Sequence, residues 1–528
     1  MGARKPEKQS TLYSTNRMET ARHSQSTTCS GRRFPVAGAV SVLLALALGL
    51  ALRLWMLKEF FNLDGDPLIY GDLAKNLLLH GSYAQTEGGG VLVPALMRLP
   101  GYPLFLALCF RLFGMENYVS AAWAQITMEL AGCLLLADFA RRIAPASLST
   151  GAAHCTLWLA ALCPFTAVYA AEPLTEAPTL FAIALALWSA ARFRARPGWP
   201  AALWFTFAVT FAALLRPEGG LVAVALTPAL LIGLRRREGE EFLSGAKARG
   251  DFWDFMRGLK PPPPSGSSFT AAGNAPHLVR IVVVCVLLAL MPFAAWSWRN
   301  WKTFHVFQPL APRQAINPGE ILHPGWERWV KSWCLDFNST AEVYWHIPGD
   351  TLELNKLPAR AYDSTEQYAE TARLAVEYNV DKEMTPQLDA SFGRLTDERI
   401  VAHPLRYYLW LPLGRMADMW LRPRVENLPI DLDWWVYENH EEETCISWAY
   451  VGLNALYLLL GAAGMWLRPR FWLPMLAYML MRSALLTTIT APEARYTLEC
   501  FPMLFALGGV AMWWGFEKIG VLGKGITC

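Results

Sequence analysis

Acidic and basic side chains recur at the ends of the apolar stretches of this chain. Asp64 and Asp66 follow the first apolar stretch, and Arg98 comes 32 residues after Asp66. Charged groups at a membrane surface are costly unless they are solvated, paired or functional. A carboxylate can take a proton from a nucleophile while arginines neutralise a departing phosphate, so this combination suits displacement of a phosphate leaving group.

Further residues of the same types fall in three later turns between apolar stretches. They are Glu172 and Glu176, Arg216 and Glu218, and Arg495 with Tyr496. Each has a structural alternative. Asp66 followed by Pro67 is typical of a helix start, and the helix dipole would favour Glu176 in a first turn. Arg216 and Arg495 could reach back to the interface as anchors.

The composition indicates a membrane protein. Of 528 residues, 54% are hydrophobic and 17% charged, the net charge is +3 and the mean hydropathy is +0.23. Because a span needs about 20 apolar residues, the sequence predicts ten spans, near 36–57, 118–140, 149–171, 174–193, 200–215, 219–234, 278–298, 446–467, 471–490 and 497–517. The run 102–113 is too short to cross, so we expect a juxtamembrane or re-entrant element there.

The positive charges of the short loops support this count. With residues 1–34 as a disordered cytoplasmic tail, the short arginine clusters between predicted spans all fall on the inner side. The same side receives a Pro- and Gly-rich linker, 235–277. The outer side receives the first loop, 59–117, and a segment of about 145 residues, 300–445. We expect a catalytic membrane module at 35–299, C-terminal spans at 446–528, and both termini inside.

Several motifs on the predicted outer side resemble one family. Asp66-Pro-Leu-Ile-Tyr70 and Arg98-Leu-Pro-Gly-Tyr-Pro103 resemble the first outer loop of GT-C superfamily glycosyltransferases. More narrowly, they resemble the bacterial branch related to protein O-mannosyltransferases and to the aminoarabinose transferase of lipid A. The similarity continues in Glu172-Pro-Leu-Thr-Glu176, Arg216-Pro-Glu218 and Ala494-Arg-Tyr496.

This resemblance implies a fold and an activity. The fold would be an all-α polytopic membrane protein of about ten helices in a GT-C-type arrangement. The activity would be inverting transfer of a sugar from a polyprenyl-phosphate donor to a lipid, glycan or protein acceptor, outside a bacterial inner membrane. The alternative is a transporter or flippase of lipid-linked sugars, but such proteins are often built from internal repeats, and the sequence contains no repeat that relates its two parts.

The resemblance also assigns roles to individual residues. Asp66, four residues before Tyr70, would be the catalytic acid or base, with Asp64 as the alternative two residues earlier. Arg98, Arg216 and Arg495, with Tyr496, would bind the donor phosphate. Glu176 would be a second acid that supports the acceptor or, with Asp66, holds a divalent cation. The supporting residues would be Tyr70, Glu172, which competes with Glu176 for its role, and Glu218.

Overall fold

The computed structural model describes residues 34–232, 271–312, 316–438 and 440–520. Within these ranges the chain is mainly helical, and its strands form one two-stranded hairpin. This confirms the predicted all-α class. Nearly all of the predicted tail, 1–34, and most of the predicted linker, 235–277, lie outside the described residues.

The first half of the chain alternates long apolar helices with shorter elements. In order, these are α1 (Phe34–Glu59), α2 (Asp66–His80), β1 (Ala84–Glu87), β2 (Val91–Pro94), α3 (Gly101–Phe113), α4 (Tyr118–Ile143), α5 (Ser149–Ala161), α6 (Pro164–Ala171), α7 (Glu176–Ala195), α8 (Trp199–Leu215) and α9 (Pro217–Ile232).

The second half contains the outer segment and the C-terminal helices. In order, these are α10 (Ala271–Phe304), α11 (Pro324–Lys331), α12 (Phe337–Ser339), α13 (Thr365–Asp381), α14 (Pro386–Ala402), α15 (Leu411–Leu421), α16 (Glu441–Trp466), α17 (Trp472–Leu486) and α18 (Phe501–Ile519). A 3-10 stretch, Ala494–Cys500, leads directly into α18.

Five of the described helices are long and apolar enough to cross a membrane: α1, α4, α10, α16, and α18 with its preceding 3-10 stretch. A sixth span results if α5 and α6 are one helix bent by 52°. The bend falls at Cys163, because Pro164 disfavours the helical conformation of the residue before it. A polytopic protein is therefore confirmed, and the count of ten spans stays a prediction.

Helix α18 lies at the centre of the bundle, packed against α5 and α16. At Gly509 an added Cβ would lie 2.0 Å from Thr156 Oγ1 and 2.6 Å from the Thr156 nitrogen. The backbones of α5 and α18 are thus in direct contact, which small residues allow between membrane helices. A buried ion pair, Arg53 Nε to Glu129 Oε2 at 2.7 Å, joins α1 to α4. Glu129 therefore pairs with a neighbouring helix.

The first loop, predicted to lie on the outer side, is fastened to the end of α10. Strands β1 and β2 pair antiparallel, with Ala84 opposite Pro94. Arg299 donates to the carbonyl oxygens of Tyr83 at 2.6 Å and Ala95 at 2.7 Å, which flank the hairpin. These bonds hold the loop that leads into Arg98.

The outer segment has an aromatic core of its own. Trp326, Trp329 and Phe392 meet with ring centroids 5.0–5.2 Å apart, where α11 packs against α14. This unit contacts the membrane helices through Thr340, whose hydroxyl donates to the Pro492 carbonyl oxygen at 3.2 Å. The contact lies directly before the predicted site residues of the last outer turn.

Candidate active site

Asp66 and Arg98 form the outer part of the site. Asp66 is the first residue of α2, but its carboxylate makes no cap hydrogen bond, and Gly65 occupies the cap position. Instead Arg98 Nη2 donates to Asp66 Oδ1 at 2.7 Å. The interpretation of Asp66 as a simple helix cap is therefore wrong. The Arg98 guanidinium carbon also lies 5.8 Å from the centroid of the Tyr70 ring, and burial raises the pKa of Tyr70 to about 12.

Arg495 approaches Asp66 from the opposite end of the sequence. Its Nη2 lies 3.6 Å from Asp66 Oδ2, and its Nε lies 2.5 Å from Glu493 Oε2. The Tyr496 hydroxyl donates to the same Glu493 carboxylate. Asp66, Arg98 and Arg495 keep 27%, 24% and 21% of their side chains exposed, so a ligand can reach this carboxylate and both of its arginines.

Arg216 lies deeper and is surrounded by carboxylates. Its Nη1 donates to Glu176 Oε1 at 2.9 Å, and its Nε lies 3.3 Å from Glu218 Oε1. Only 13% of Arg216 and 3% of Glu176 are exposed, so Arg216 is not an anchor in the membrane interface. Arg495 Nε lies 3.9 Å from Glu176 Oε1, which connects this deeper group to the outer one.

Two residues of the buried part of the site were not predicted, and neither was Glu493 beside Arg495. Arg482 in α17 lies 3.1 Å from Glu218 Oε1 and 3.0 Å from Glu499 Oε1. Glu499 also lies 3.3 Å from Arg216 Nε and accepts the Tyr478 hydroxyl at 3.2 Å. A signal for both existed in the sequence, since each is a charge inside a predicted span, where charges are rare and usually functional.

Backbone packing brings the motifs of the first loop and of α8 together. Gly101 begins α3, and a Cβ added there would lie 2.5 Å from the Leu214 carbonyl oxygen. Only glycine permits this approach, which sets the loop carrying Arg98 against the end of α8. Arg216 follows two residues after the contact. Next to Gly101 in the sequence, the Tyr102 hydroxyl donates to Gln125 Oε1 at 2.6 Å.

Asp64 and Glu172 occupy different surroundings. Asp64 is exposed, and its Oδ1 accepts the Gly65 backbone N–H at 2.9 Å, with no ion pair to an arginine among the described residues. Of the two neighbouring acids, the structure brings only Asp66 to the arginines. Glu172 is buried, and burial raises its pKa to about 8; Asn427 and Arg495 partly oppose this shift and Glu176 adds to it.

The predicted cation ligands are already engaged by arginines. Asp66 contacts Arg98, and Glu176 contacts Arg216. A divalent cation here would face guanidinium groups at short range, so the arrangement fits an anionic ligand better than a metal ion. Elsewhere in the described chain, one group of three possible ligands lies within 4.8 Å, at the start of α16: Asp431, His440 and Glu443.

Residues 95–243 match the family model described as Dolichyl-phosphate-mannose-protein mannosyltransferase. The predicted resemblance to the GT-C superfamily is confirmed. The matched stretch, about a quarter of the chain, contains five predicted site residues: Arg98, Glu172, Glu176, Arg216 and Glu218. The other predicted site residues, Asp64, Asp66, Tyr70, Arg495 and Tyr496, lie outside this stretch.

Two crystal structures show low similarity to this GT-C-like chain. ArnT from Cupriavidus metallidurans in the apo state has a TM-score of 0.36 and 15% identity, over 92% of this chain and 78% of that one. ArnT from the same organism bound to undecaprenyl phosphate has a TM-score of 0.36 and 13% identity, over 91% and 78%. Similarity at this level assigns no residue a role. No curated protein matches the chain by sequence.

Proposed function

We propose that the protein is an inverting glycosyltransferase. It would move a sugar from a polyprenyl-phosphate donor to an acceptor on the outer side of the membrane in which the protein lies. The observation that carries the proposal is the placement of Asp66 between Arg98 and Arg495, at 2.7 Å and 3.6 Å. A part-exposed carboxylate supplies a base, and the flanking guanidinium groups supply a cradle for a phosphate leaving group.

The proposed reaction is a single displacement. Asp66 takes the proton from the acceptor nucleophile as that nucleophile attacks the anomeric carbon. The bond between this carbon and the phosphate oxygen breaks on the opposite face, and the electron pair leaves with the lipid phosphate. Arg98 and Arg495 neutralise the charge that develops on the phosphate. One displacement inverts the anomeric configuration.

The buried residues of the site would orient the arginines that they contact. Glu176, Glu499 and Arg482 are 3%, 2% and 0% exposed, so they have little surface for a substrate. Their ion pairs fix Arg216 and Arg495 in position before the substrate binds, which lowers the barrier by preorganisation. We therefore propose that Glu176 acts as a positioning residue, holding the arginines.

A lipid donor agrees with the surface beside the site. Helix α3 follows Arg98 directly and exposes Leu104, Leu108 and Leu112, 50%, 57% and 64% exposed. Residues four apart lie on one helical face, so these leucines form an apolar stripe that leads away from the arginines. An isoprenoid tail would lie along this stripe while its phosphate meets the arginines.

The decisive experiment compares Asp66→Asn with Asp64→Asn. The purified chain in detergent is incubated with undecaprenyl-phosphate hexoses and pentoses and with envelope lipid, glycan and peptide acceptors. We expect Asp66→Asn to lower release of undecaprenyl phosphate by about 10²- to 10⁴-fold. Asp64→Asn should retain activity. Full activity in Asp66→Asn with loss in Asp64→Asn would reverse the assignment of the base.

The same assay separates the enzyme from a transporter of lipid-linked sugars. A transporter moves the intact donor across a membrane and leaves its sugar–phosphate bond unbroken. Detergent removes the two compartments, so transport has no product there. Cleavage of the donor in detergent, dependent on an acceptor, supports the transferase. An intact donor with every acceptor, combined with donor movement in proteoliposomes, would support the transporter instead.

A further inference from the structure

A cavity of about 550 Å³ opens at the end of the bundle opposite the Asp66 site. Four arginines line it, together with the first residues of α5: Arg141, Arg142, Arg468, Arg470, Ser149 and Thr150. Helix α4 connects the two ends, since Tyr118 at its start packs against Gly71 of α2 and Arg141 lies near its other end. Its 26 residues span about 39 Å, so this cavity is separate from the proposed active site.

A defined turn holds two of the arginines at the cavity. Arg468 and Arg470 flank Pro469 between α16 and α17, and the Arg470 backbone N–H donates to the Ile143 carbonyl oxygen at 3.0 Å. Arg468 and Phe471 both adopt positive φ, 49° and 67°. Side chains with a Cβ rarely adopt this conformation unless the surroundings impose it. The turn is therefore held in place against the end of α4.

The cavity carries uncompensated positive charge. Asp138 pairs with Arg141 and, at 2.6 Å, with Arg142. For Arg468 and Arg470, the described residues provide no carboxylate partner, and Arg468 instead lies over the Trp472 ring at 5.6 Å. Among the described residues, Asp138 is thus the only carboxylate that pairs with any of these four guanidinium groups. Such a site attracts an anion, and the planar guanidinium group binds phosphate oxygens two at a time.

An exposed indole indicates where the cavity lies relative to the bilayer. Trp466, the last residue of α16, is 79% exposed and precedes Arg468 by two residues. Indole rings favour the interface between hydrocarbon and water. This places the arginines at the level of the lipid headgroups.

We propose that this cavity is a binding site for a phosphate group, carried by an anionic lipid headgroup or by a small soluble phosphorylated compound. Basic pockets between the ends of membrane helices recognise phosphorylated headgroups by the same chemistry. The proposal is independent of the activity proposed for the Asp66 site.

The test compares the double variant Arg468→Ala/Arg470→Ala with Arg196→Ala/Arg280→Ala. The control removes two exposed arginines that do not line the cavity and that lie near the predicted inner ends of the spans 174–193 and 278–298. Each full-length protein is reconstituted with phosphatidylcholine alone or mixed with phosphatidylglycerol, and retained phosphatidylglycerol is measured by native mass spectrometry. We expect the cavity variant to retain about tenfold less phosphatidylglycerol than the control.

A second arm distinguishes the two sources of phosphate. Inorganic phosphate and pyrophosphate are added to the same proteins in lipid-free detergent, and the shift in melting temperature is recorded. A shift that depends on Arg468 and Arg470, without selective lipid retention, supports a soluble phosphorylated ligand. Equal behaviour of the cavity and control variants in both arms would overturn the proposal.

A double variant that keeps the positive charge serves as the control for misfolding. Arg468→Lys/Arg470→Lys keeps the positive charge, and the backbone bond from residue 470 to Ile143 is available in every variant. Binding should be partly restored by the lysines, because they attract phosphate but cannot make the planar two-point contact. The proposal would also be contradicted if the lysine variant bound no more ligand than the alanine variant while both kept the melting temperature of the unchanged protein.

Discussion

Gly101 lies so close to Leu214 that a single added methyl group would come within 2.5 Å of the Leu214 carbonyl oxygen. This contact joins the first outer loop, with Arg98, to the end of α8, where Arg216 begins the next turn. A side chain at residue 101 would push the two segments apart and separate the outer arginines from the deeper one. The contact is between backbones, so a rotamer change cannot relieve it.

We expect Gly101→Ala to destabilise the fold by about 1–3 kcal/mol, the usual cost of overpacking, and to lower transfer activity further. Melting temperature and donor turnover of the purified variant measure both effects. Gly452→Ala is the matched control, since nothing lies within 4 Å of a Cβ added in the middle of α16. It should be neutral or slightly stabilising. A Gly101→Ala protein as stable as this control would contradict the proposed role of the contact.

Neutralising Glu499 should disrupt the buried part of the site. Glu499→Gln leaves Arg482 with Glu218 alone and weakens the surroundings of Arg216. Loss of one partner from a buried ion pair costs about 3–5 kcal/mol, so we expect a large drop in melting temperature. Glu517→Gln, at the exposed end of α18, should have little effect. Equal stability of the two variants would show that the buried network is dispensable.

The pH dependence of the protein's stability should reveal the raised pKa of Glu172. Its pKa rises from 4.5 to about 8 on folding, so the folded state binds the proton more tightly than the unfolded state. Stability from this group is therefore present at low pH and falls between about pH 4.5 and 8, by at most about 1.4 kcal/mol per pH unit. Glu172→Gln should flatten this decline. Melting temperatures of the wild-type protein and of Glu172→Gln, measured from pH 5 to 9, test this expectation. An equal decline with pH in the two proteins would contradict it.

Cysteine labelling in intact cells tests the predicted sidedness. Cys445 is free and exposed, so it is first changed to serine. We expect a membrane-impermeant maleimide to label Asp64→Cys from outside, and Arg468→Cys only after the cells are permeabilised. These two positions lie at opposite ends of the bundle. Labelling of Arg468→Cys from outside would place the proposed active site on the cytoplasmic side.

The candidate residues of the part-exposed half of the site can be found from the sequence because they lie in local motifs. Asp66 with Tyr70, Arg98 with Gly101, and Arg495 with Tyr496 each belong to a short pattern that resembles the family. Local pattern alone left a helix cap and a functional role equally open for Asp66, and only the tertiary contact with Arg98 decides against the cap. Motif reasoning thus finds which segments contribute, while the geometry decides how each side chain is used.

The deeper part could not be predicted in the same way. Arg482 and Glu499 have no motif around them, and their partners are distant in the sequence. Pairing of this kind depends on how α17 and the stretch before α18 meet Arg216 and Glu218, directly after α8, which periodicity does not reveal. The bend between α5 and α6 was also unexpected, although Pro164 marks its position.

The position of Arg495 and Glu499, just before the central helix α18, has a consequence for biosynthesis. During translation the first loop, which ends at residue 117, is complete 378 residues before Arg495 is made. Until then Arg216 lacks its Glu499 contact and Asp66 has only Arg98. The full charge network therefore closes only when α18 inserts into the centre of the bundle. A nascent chain that stalls before this helix would hold Arg98 and Arg216 without the residues that orient them, and under the proposed function it would be inactive.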